Sequence, residues 1–186
     1  VRSSTSIENQ AYSTPAPLSY LAGRLAGITK SKKVYEPTAG NGMLLISAAV
    51  ENVAANELNP ERAANLRSLG FSVTQEDGSE YIPAGAMDSA IMNPPFGPLE
   101  RFGKPSTVDY DGYAFKKIDH LIVAKALEAV KNGGRASIII AANREPGVIG
   151  NGSDKVFFNW LYSHYDVIDH FEVNGDLYSR QGASWP

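Results

Sequence analysis

Apolar residues in this chain fall into short continuous runs separated by longer periodic stretches, the pattern of buried strands alternating with helices. The short runs predict strands at Val34-Tyr35-Glu36, Val53 to Asn56, Phe71 to Thr74, and 87–92, which ends in Ala90-Ile91-Met92. Two further strands are expected at Arg135 to Ala142, containing Ile138-Ile139-Ile140, and at Val167 to Val173. Between them the spacing predicts a helix from Pro15 to Gly27 with Leu18, Leu21, Leu25 and Ile28 on one face. Others are expected at Met43 to Val50, at Pro60 to Leu69 (ended by Gly70), at Ile118 to Lys131 as an amphipathic helix closed by Asn132-Gly133-Gly134, and at Val156 to Ser163. Residues 97–114 and 143–153 read as Gly-rich loops, the first long for a compact domain. The alternation implies an α/β domain, a mostly parallel sheet with helices on both faces.

Length and composition agree with one such domain. The chain has 186 residues, 43% hydrophobic and 20% charged. Residues 1–14 are polar, rich in Ser and Thr, and expected to be flexible; the domain is placed at 15–186. No apolar run approaches a membrane span and no signal peptide is visible, so an intracellular, cytoplasmic protein is expected. With no cysteine, thiol catalysis, disulfides and a cysteine-ligated zinc are excluded. His120, His164 and His170 show no metal-site spacing and read as surface or capping residues.

The chemistry gathers where strands end. Asn93-Pro94-Pro95-Phe96 closes the fourth strand. Two prolines cannot continue a ladder, so they hold a stiff turn that projects the Asn93 amide. The Asn93 oxygen and the Pro94 carbonyl are two acceptors suited to a planar exocyclic amine, and Phe96 can stack on the ring that carries it. The first strand runs into Glu36-Pro37-Thr38-Ala39-Gly40-Asn41-Gly42, a glycine turn expected to open a helix whose N-terminus offers free N–H groups. It lacks the full dinucleotide fingerprint and the phosphate-loop lysine. Glu36 suits a ligand carrying an amine and a carboxylate, and would repel a pyrophosphate. Glu57 ends the second strand, where an acidic residue takes ribose hydroxyls, and Asp77 follows the third, where it could accept from an adenine amine. A helix cap or a turn residue is the alternative reading of each.

These motifs resemble the catalytic domain of S-adenosylmethionine-dependent N6-adenine DNA methyltransferases, in the group whose cofactor region precedes the catalytic region. Tyr12-Ser13-Thr14-Pro15 resembles that group's N-terminal cofactor motif, 36–42 its glycine loop, and 93–96 its catalytic tetrapeptide. The stretch 107–113 and the helix after it look like the large methylase–helicase proteins of phages and mobile elements. The resemblance implies a Rossmann-like class I methyltransferase fold. It also implies S-adenosylmethionine as cofactor, a flipped adenine in DNA as acceptor, and no metal. Catalysis would fall to Asn93, Pro94, Pro95 and Phe96. Glu36, Pro37, Ala39, Gly40, Asn41 and Gly42 would hold the methionine part of the cofactor, with Asn93 beside it. Glu57 would hold the ribose, Asp77 the adenine amine, and Thr14 the carboxylate end. Tyr110 and Tyr113 either line the base pocket or are ordinary loop aromatics, and Arg180-Gln181-Gly182 is a further candidate for the site.

The formal net charge of −3 sits badly with a duplex-binding surface. The small basic clusters Lys30-Ser31-Lys32-Lys33 and Lys116-Lys117 do not reverse it. The expectation is therefore a piece of a longer protein, with its target-recognition region elsewhere. Only Gly182 to Pro186 remain for the family's seventh, antiparallel strand, which is expected to be incomplete. The tetrapeptide also suits an RNA base or a protein glutamine as acceptor. A catalytically silent binding module is a further alternative.

Overall fold

A computed structural model describes residues 13–141, 152–174 and 176–178. Five parallel strands form the central sheet: β1 (Val34–Glu36), β2 (Val53–Asn56), β3 (Ser72–Thr74), β4 (Met87–Met92) and β9 (Val130–Ile138), in the order β3-β2-β1-β4-β9. Strand order reverses between β1 and β4, which opens a crevice at their carboxyl ends. Alternate residues of the central strands supply two cores. Val34 and Ile91 pack with Ala22, Ala26, Leu44, Leu45 and Leu66 on one face. Tyr35, Ala90 and Met92 pack with Leu121, Ala124, Phe157 and Trp160 on the other. A sheet buried on both faces explains why its strands read as apolar runs.

Helix α1 (Ala16–Leu25) forms as predicted but buries a different face. Leu21 and Leu25 are exposed, while Ser19, Ala22, Gly23 and Ala26 are buried. Close approach is the reason: a Cβ on Gly23 would meet the Ser47 hydroxyl at 3.1 Å, so only small residues fit. The predicted helix from Met43 to Val50 is instead two 3-10 turns, Met43–Ser47 and Val50–Asn52, divided where Ala48 goes extended. So short a run cannot offset the cost of nucleating an α-helix once its backbone breaks. Helix α2 (Pro60–Ser68) is capped by Asn59, whose side chain accepts from Glu61 and Arg62 N–H.

The loop predicted at 97–114 contains two hairpins, β5 (Glu100–Arg101) with β6 (Lys104–Pro105) and β7 (Val108–Tyr110) with β8 (Tyr113–Phe115). Helix α3 (Ile118–Glu128) is shorter than expected and not amphipathic. It is buried on nearly every side because it lies between the sheet and α4 (Gly152–His164). His120, expected at the surface, is fully buried and stacks on Phe157 with ring centroids 4.3 Å apart. Strand β9 starts at Val130 rather than Arg135. Met87 pairs with Val130 and Ser89 with Arg135, so 131–134 bulge out through Gly133 at φ +76°. No strand forms at 167–173. Ile168 and Phe171 are exposed there, and an alternating pattern without a partner edge does not make a strand. Residues 179–186, with the expected seventh strand and Arg180-Gln181-Gly182, lie outside the described residues, as do 1–12 and most of the predicted loop at 143–153. No helix among the described residues is long and apolar enough to cross a membrane.

Candidate functional site

A cavity of about 100 Å³ lies at the strand-order reversal, where the end of β1 faces the end of β4. Of the predicted residues, Thr14, Glu36, Ala39, Gly40, Asn41 and Asn93 line it. Pro37, Gly42, Glu57, Asp77 and the remainder of the tetrapeptide lie outside the lining.

The glycine turn is held by its own hydrogen bonds. Ala39 N–H donates to the Asn56 carbonyl at 2.8 Å, Gly42 N–H to the Ala39 carbonyl at 2.7 Å, and Met43 N–H to the Asn41 side-chain oxygen at 3.1 Å. Gly40 N–H donates to the Glu57 carboxylate at 2.7 Å. Gly42 sits at φ +77°, and a Cβ there would lie 2.9 Å from Leu66 Cδ2. Turn and α2 are thus packed backbone to side chain, which only glycine permits. The run of free N–H groups expected of an α-helix N-terminus is reduced here. Gly42 leads into a five-residue 3-10 helix, and the Ala39, Gly40, Gly42 and Met43 amides are committed, while those of Thr38 and Asn41 have no partner among the described residues. Such a loop is a poor cradle for a pyrophosphate.

Its unsatisfied groups are of another kind. Glu36 is buried, its Oε2 has no hydrogen-bond partner, and the hydroxyl of Thr38, which lines the same cavity, is also buried and unpartnered. Burial, and secondarily the Glu57 charge, raise the Glu36 carboxyl well above its usual range. A buried acceptor without a donor, lining a cavity, fits a ligand that brings an amine.

Three strand ends are tied together by one amide. Buried Asn56, last residue of β2, donates from Nδ2 to the Pro37 carbonyl at 3.0 Å and to the Glu76 carbonyl at 2.9 Å. Its Oδ1 accepts from the Thr74 hydroxyl at 2.8 Å and from Glu76 N–H at 3.0 Å. The next residue, Glu57, accepts from Gly40 on one oxygen and from Asn59 N–H at 2.8 Å on the other. Two lone pairs of its carboxylate remain for further donors. Asp77 is exposed and accepts from Ser79 N–H and hydroxyl, a turn contact.

Across the crevice, Asn93 Nδ2 donates to the Thr14 hydroxyl at 3.0 Å. Its Oδ1 and the Pro94 carbonyl accept no hydrogen bond from the described residues. Pro94 is buried and Phe96 half-buried. Tyr110 and Tyr113 pack against α4: Tyr110 lies 6.3 Å from the Trp160 ring, and Tyr113 donates or accepts at 3.3 Å with Ser163. Neither of them lines the cavity. Sequence reasoning missed Ser13, Thr38, Met43, Leu44 and Arg62 in the lining. Tyr178 lies outside the lining; burial pushes its phenol up to about 12, and its contact with Thr14 opposes the rise. Thr38 lies within the glycine-turn motif and could have been found there. Arg62 and Tyr178 carry no local signal.

No family model matches the sequence, and no curated protein matches it. Solved structures match by shape. A protein described as a modification subunit of a type I restriction enzyme, from Vibrio vulnificus YJ016, is 16% identical over 63% of this chain and 30% of its own, at a TM-score of 0.48. A protein described as a class I S-adenosylmethionine-dependent methyltransferase from Listeria monocytogenes is 14% identical over 75% and 47%, at 0.47. This chain spans less than half of either. An rRNA methylase from Streptococcus thermophilus is 16% identical over 86% of this chain and 91% of its own, at 0.50. That last likeness runs nearly end to end in both proteins and joins the strand order of the central sheet: this chain has the Rossmann-like fold of class I methyltransferases.

Proposed function

We propose that this chain binds S-adenosylmethionine and transfers its methyl group to the N6 amine of adenine in DNA. The observation that carries the reading is the Asn93 amide, anchored through its N–H to Thr14 with its oxygen left as an acceptor, at the head of Asn93-Pro94-Pro95-Phe96. The cavity supports the cofactor: Glu36 Oε2 and the Thr38 hydroxyl are buried polar atoms awaiting partners, and a methionine amine fits the first.

S-adenosylmethionine supplies an electrophilic methyl carried on a sulfonium. Glu36 holds the amine end, with Pro37, Ala39, Gly40, Asn41 and Gly42 forming the wall around it. Thr14 meets the carboxylate end, Glu57 the ribose and Asp77 the adenine of the cofactor. The target adenine must leave the duplex, because its amine is inaccessible to a pocket while stacked and paired. Phe96 stacks on the flipped base, and Pro95 stiffens the turn that carries the ring. Asn93 Oδ1 and the Pro94 carbonyl accept the two amine hydrogens, which favours a pyramidal nitrogen with its lone pair turned to the methyl. In the transfer the amine nitrogen would take the methyl, the C–S electron pair would stay on sulfur, and the methylated nitrogen, held by Asn93 and Pro94, would release a proton to water. Positioning and fixed dipoles lower the barrier, and no covalent enzyme intermediate is required. Recognition of a particular DNA sequence is assigned to a region outside this chain.

An RNA base is the second reading, favoured by the end-to-end likeness to an rRNA methylase. Transfer of labelled methyl to unmethylated DNA, matched RNA and protein, with identification of the modified nucleoside or residue, tests both. N6-methyladenine in DNA is the expected product. Label in RNA alone would move the protein to the second reading, and label in glutamine would overturn both.

A further inference from the structure

The two hairpins between β4 and α3 close with the same kind of turn but with different residues at its first position. In the β7–β8 hairpin the turn residues are Asp111 at φ +54° and Gly112 at φ +77°. In the β5–β6 hairpin they are Phe102 at φ +55° and Gly103 at φ +70°. Both are two-residue turns with both central φ positive, a conformation that favours Asn-Gly and Asp-Gly. Asp-Gly is thus the ordinary solution, present in the neighbouring hairpin. A phenylalanine there is strained and bulky. Its ring obtains no packing in return, since Phe102 is fully exposed (103%).

The surroundings give that ring a direction. Arg101 and Lys104 flank it as the paired residues of the turn, and both are exposed. Glu100 is the nearby acidic residue on the hairpin. The root of the hairpin is fixed to the chain that leaves the tetrapeptide: Ser106 N–H donates to the Leu99 carbonyl at 2.7 Å. A groove of about 520 Å³ starts at Gly97, next to Phe96, and runs past Pro98, Pro105, Ser106 and Lys116. The exposed ring stands at the tip of the hairpin whose Pro105 lines that groove, with a cation on either side of the turn. Flat aromatic surface beside positive charge is the arrangement that holds an unpaired nucleic-acid strand, base on ring and phosphate on cation.

We infer that the β5–β6 hairpin is a nucleic-acid contact, with Phe102 stacking on a base near the target nucleotide and Arg101 and Lys104 holding its phosphates. This deepens the proposed methyl transfer and rests on it. Phe102→Asn gives the turn a residue it prefers, so the thermal midpoint should stay level or rise. Affinity for a fluorescein-labelled single-stranded oligonucleotide should fall about tenfold for the one lost stacking contact. Cofactor affinity by calorimetry should not change. Arg101→Ser with Lys104→Ser should reduce the slope of log K against log salt by about 1.4 on single strands. Oligonucleotide binding and methylation equal to the parent in Phe102→Asn would overturn the hairpin's role while leaving the proposed reaction standing. A parent chain that binds cofactor, binds no oligonucleotide and methylates protein would overturn both.

Discussion

The side chains of Asn93 and Thr14 meet at 3.0 Å across 79 residues of chain. An amide has a donor end and an acceptor end, and binding the donor end fixes which way the acceptor end points. Thr14→Val removes the acceptor at nearly constant volume. Single-turnover methyl transfer should then slow roughly tenfold, the equivalent of one hydrogen bond of about 1.4 kcal/mol. Thr14→Ser should keep the rate, and Asn93→Ala should abolish transfer while cofactor binding persists. An unchanged rate in Thr14→Val would show that the contact does not orient the amide.

The proposed contact of Glu36 with the cofactor's amine predicts that binding depends on pH. Its carboxyl is held protonated above the usual range by burial and by Glu57. A bound ammonium requires the carboxylate. Affinity should therefore increase as pH rises toward the raised value, with proton release that calorimetry in buffers of different ionisation heats can count. Glu36→Gln should bind more weakly and lose that proton release.

Glu57 joins the glycine turn to the start of α2 through Gly40 and Asn59. Glu57→Ala should weaken cofactor binding by about 1.5–3 kcal/mol, one charged hydrogen-bond set. It should also lower the melting temperature of the cofactor-free protein. Loss of affinity with no change in melting would mean that the two internal bonds contribute little.

Asn56→Leu leaves the Pro37 carbonyl and the backbone N–H and carbonyl of Glu76 without their buried partner. A cost of about 3 kcal/mol in urea unfolding is expected. A cost under about 0.5 kcal/mol would indicate that water replaces the amide.

Asp119 and His120, adjacent and buried, have opposing effects on pH stability. Burial raises Asp119 to about 6 from 3.8, and the neighbouring Asp154 adds to this while Lys117 opposes it. Burial lowers His120 to about 4 from 6.5; Lys117 adds to this and Asp154 opposes it. For Asp119 the folded state binds the extra proton, so its contribution falls as pH rises from about 4 to 6. For His120 the unfolded state binds the extra proton, so its contribution rises from about 4 to 6.5. The two slopes largely cancel. Relative to the parent, Asp119→Asn should gain stability as pH rises through this window, and His120→Gln should lose it. Parallel curves for all three would refute the opposition.

The sheet was legible because burial on both faces turns strands into apolar runs, and the run 87–92 matches β4 at both ends. Positions set by close backbone approach were not. Leu21 and Leu25 looked like the inner face of α1, yet a neighbouring 3-10 turn admits only Ala22, Gly23 and Ala26. His120 looked like a surface or capping residue, because the burial of α3 depends on α4, which arrives later in the chain. In the site, Glu36 and Asn93 could be read from motifs that end strands. Asn56 could not, since its side-chain partners come from two other strand ends that only the folded sheet brings to it.

The chain leaving the tetrapeptide is clasped to the start of α3: Leu99 N–H donates to Lys116 at 2.8 Å and Ile118 N–H to Gly97 at 3.0 Å. Everything between Leu99 and Lys116 is thereby a closed excursion whose ends are fixed independently of its length. Loop-closure cost grows only slowly with length. Such a segment behaves as an exchangeable cassette: mutation can lengthen, shorten or replace it while Asn93 and Phe96 keep their places, so under the proposed reaction acceptor preference can evolve without renegotiating the chemistry.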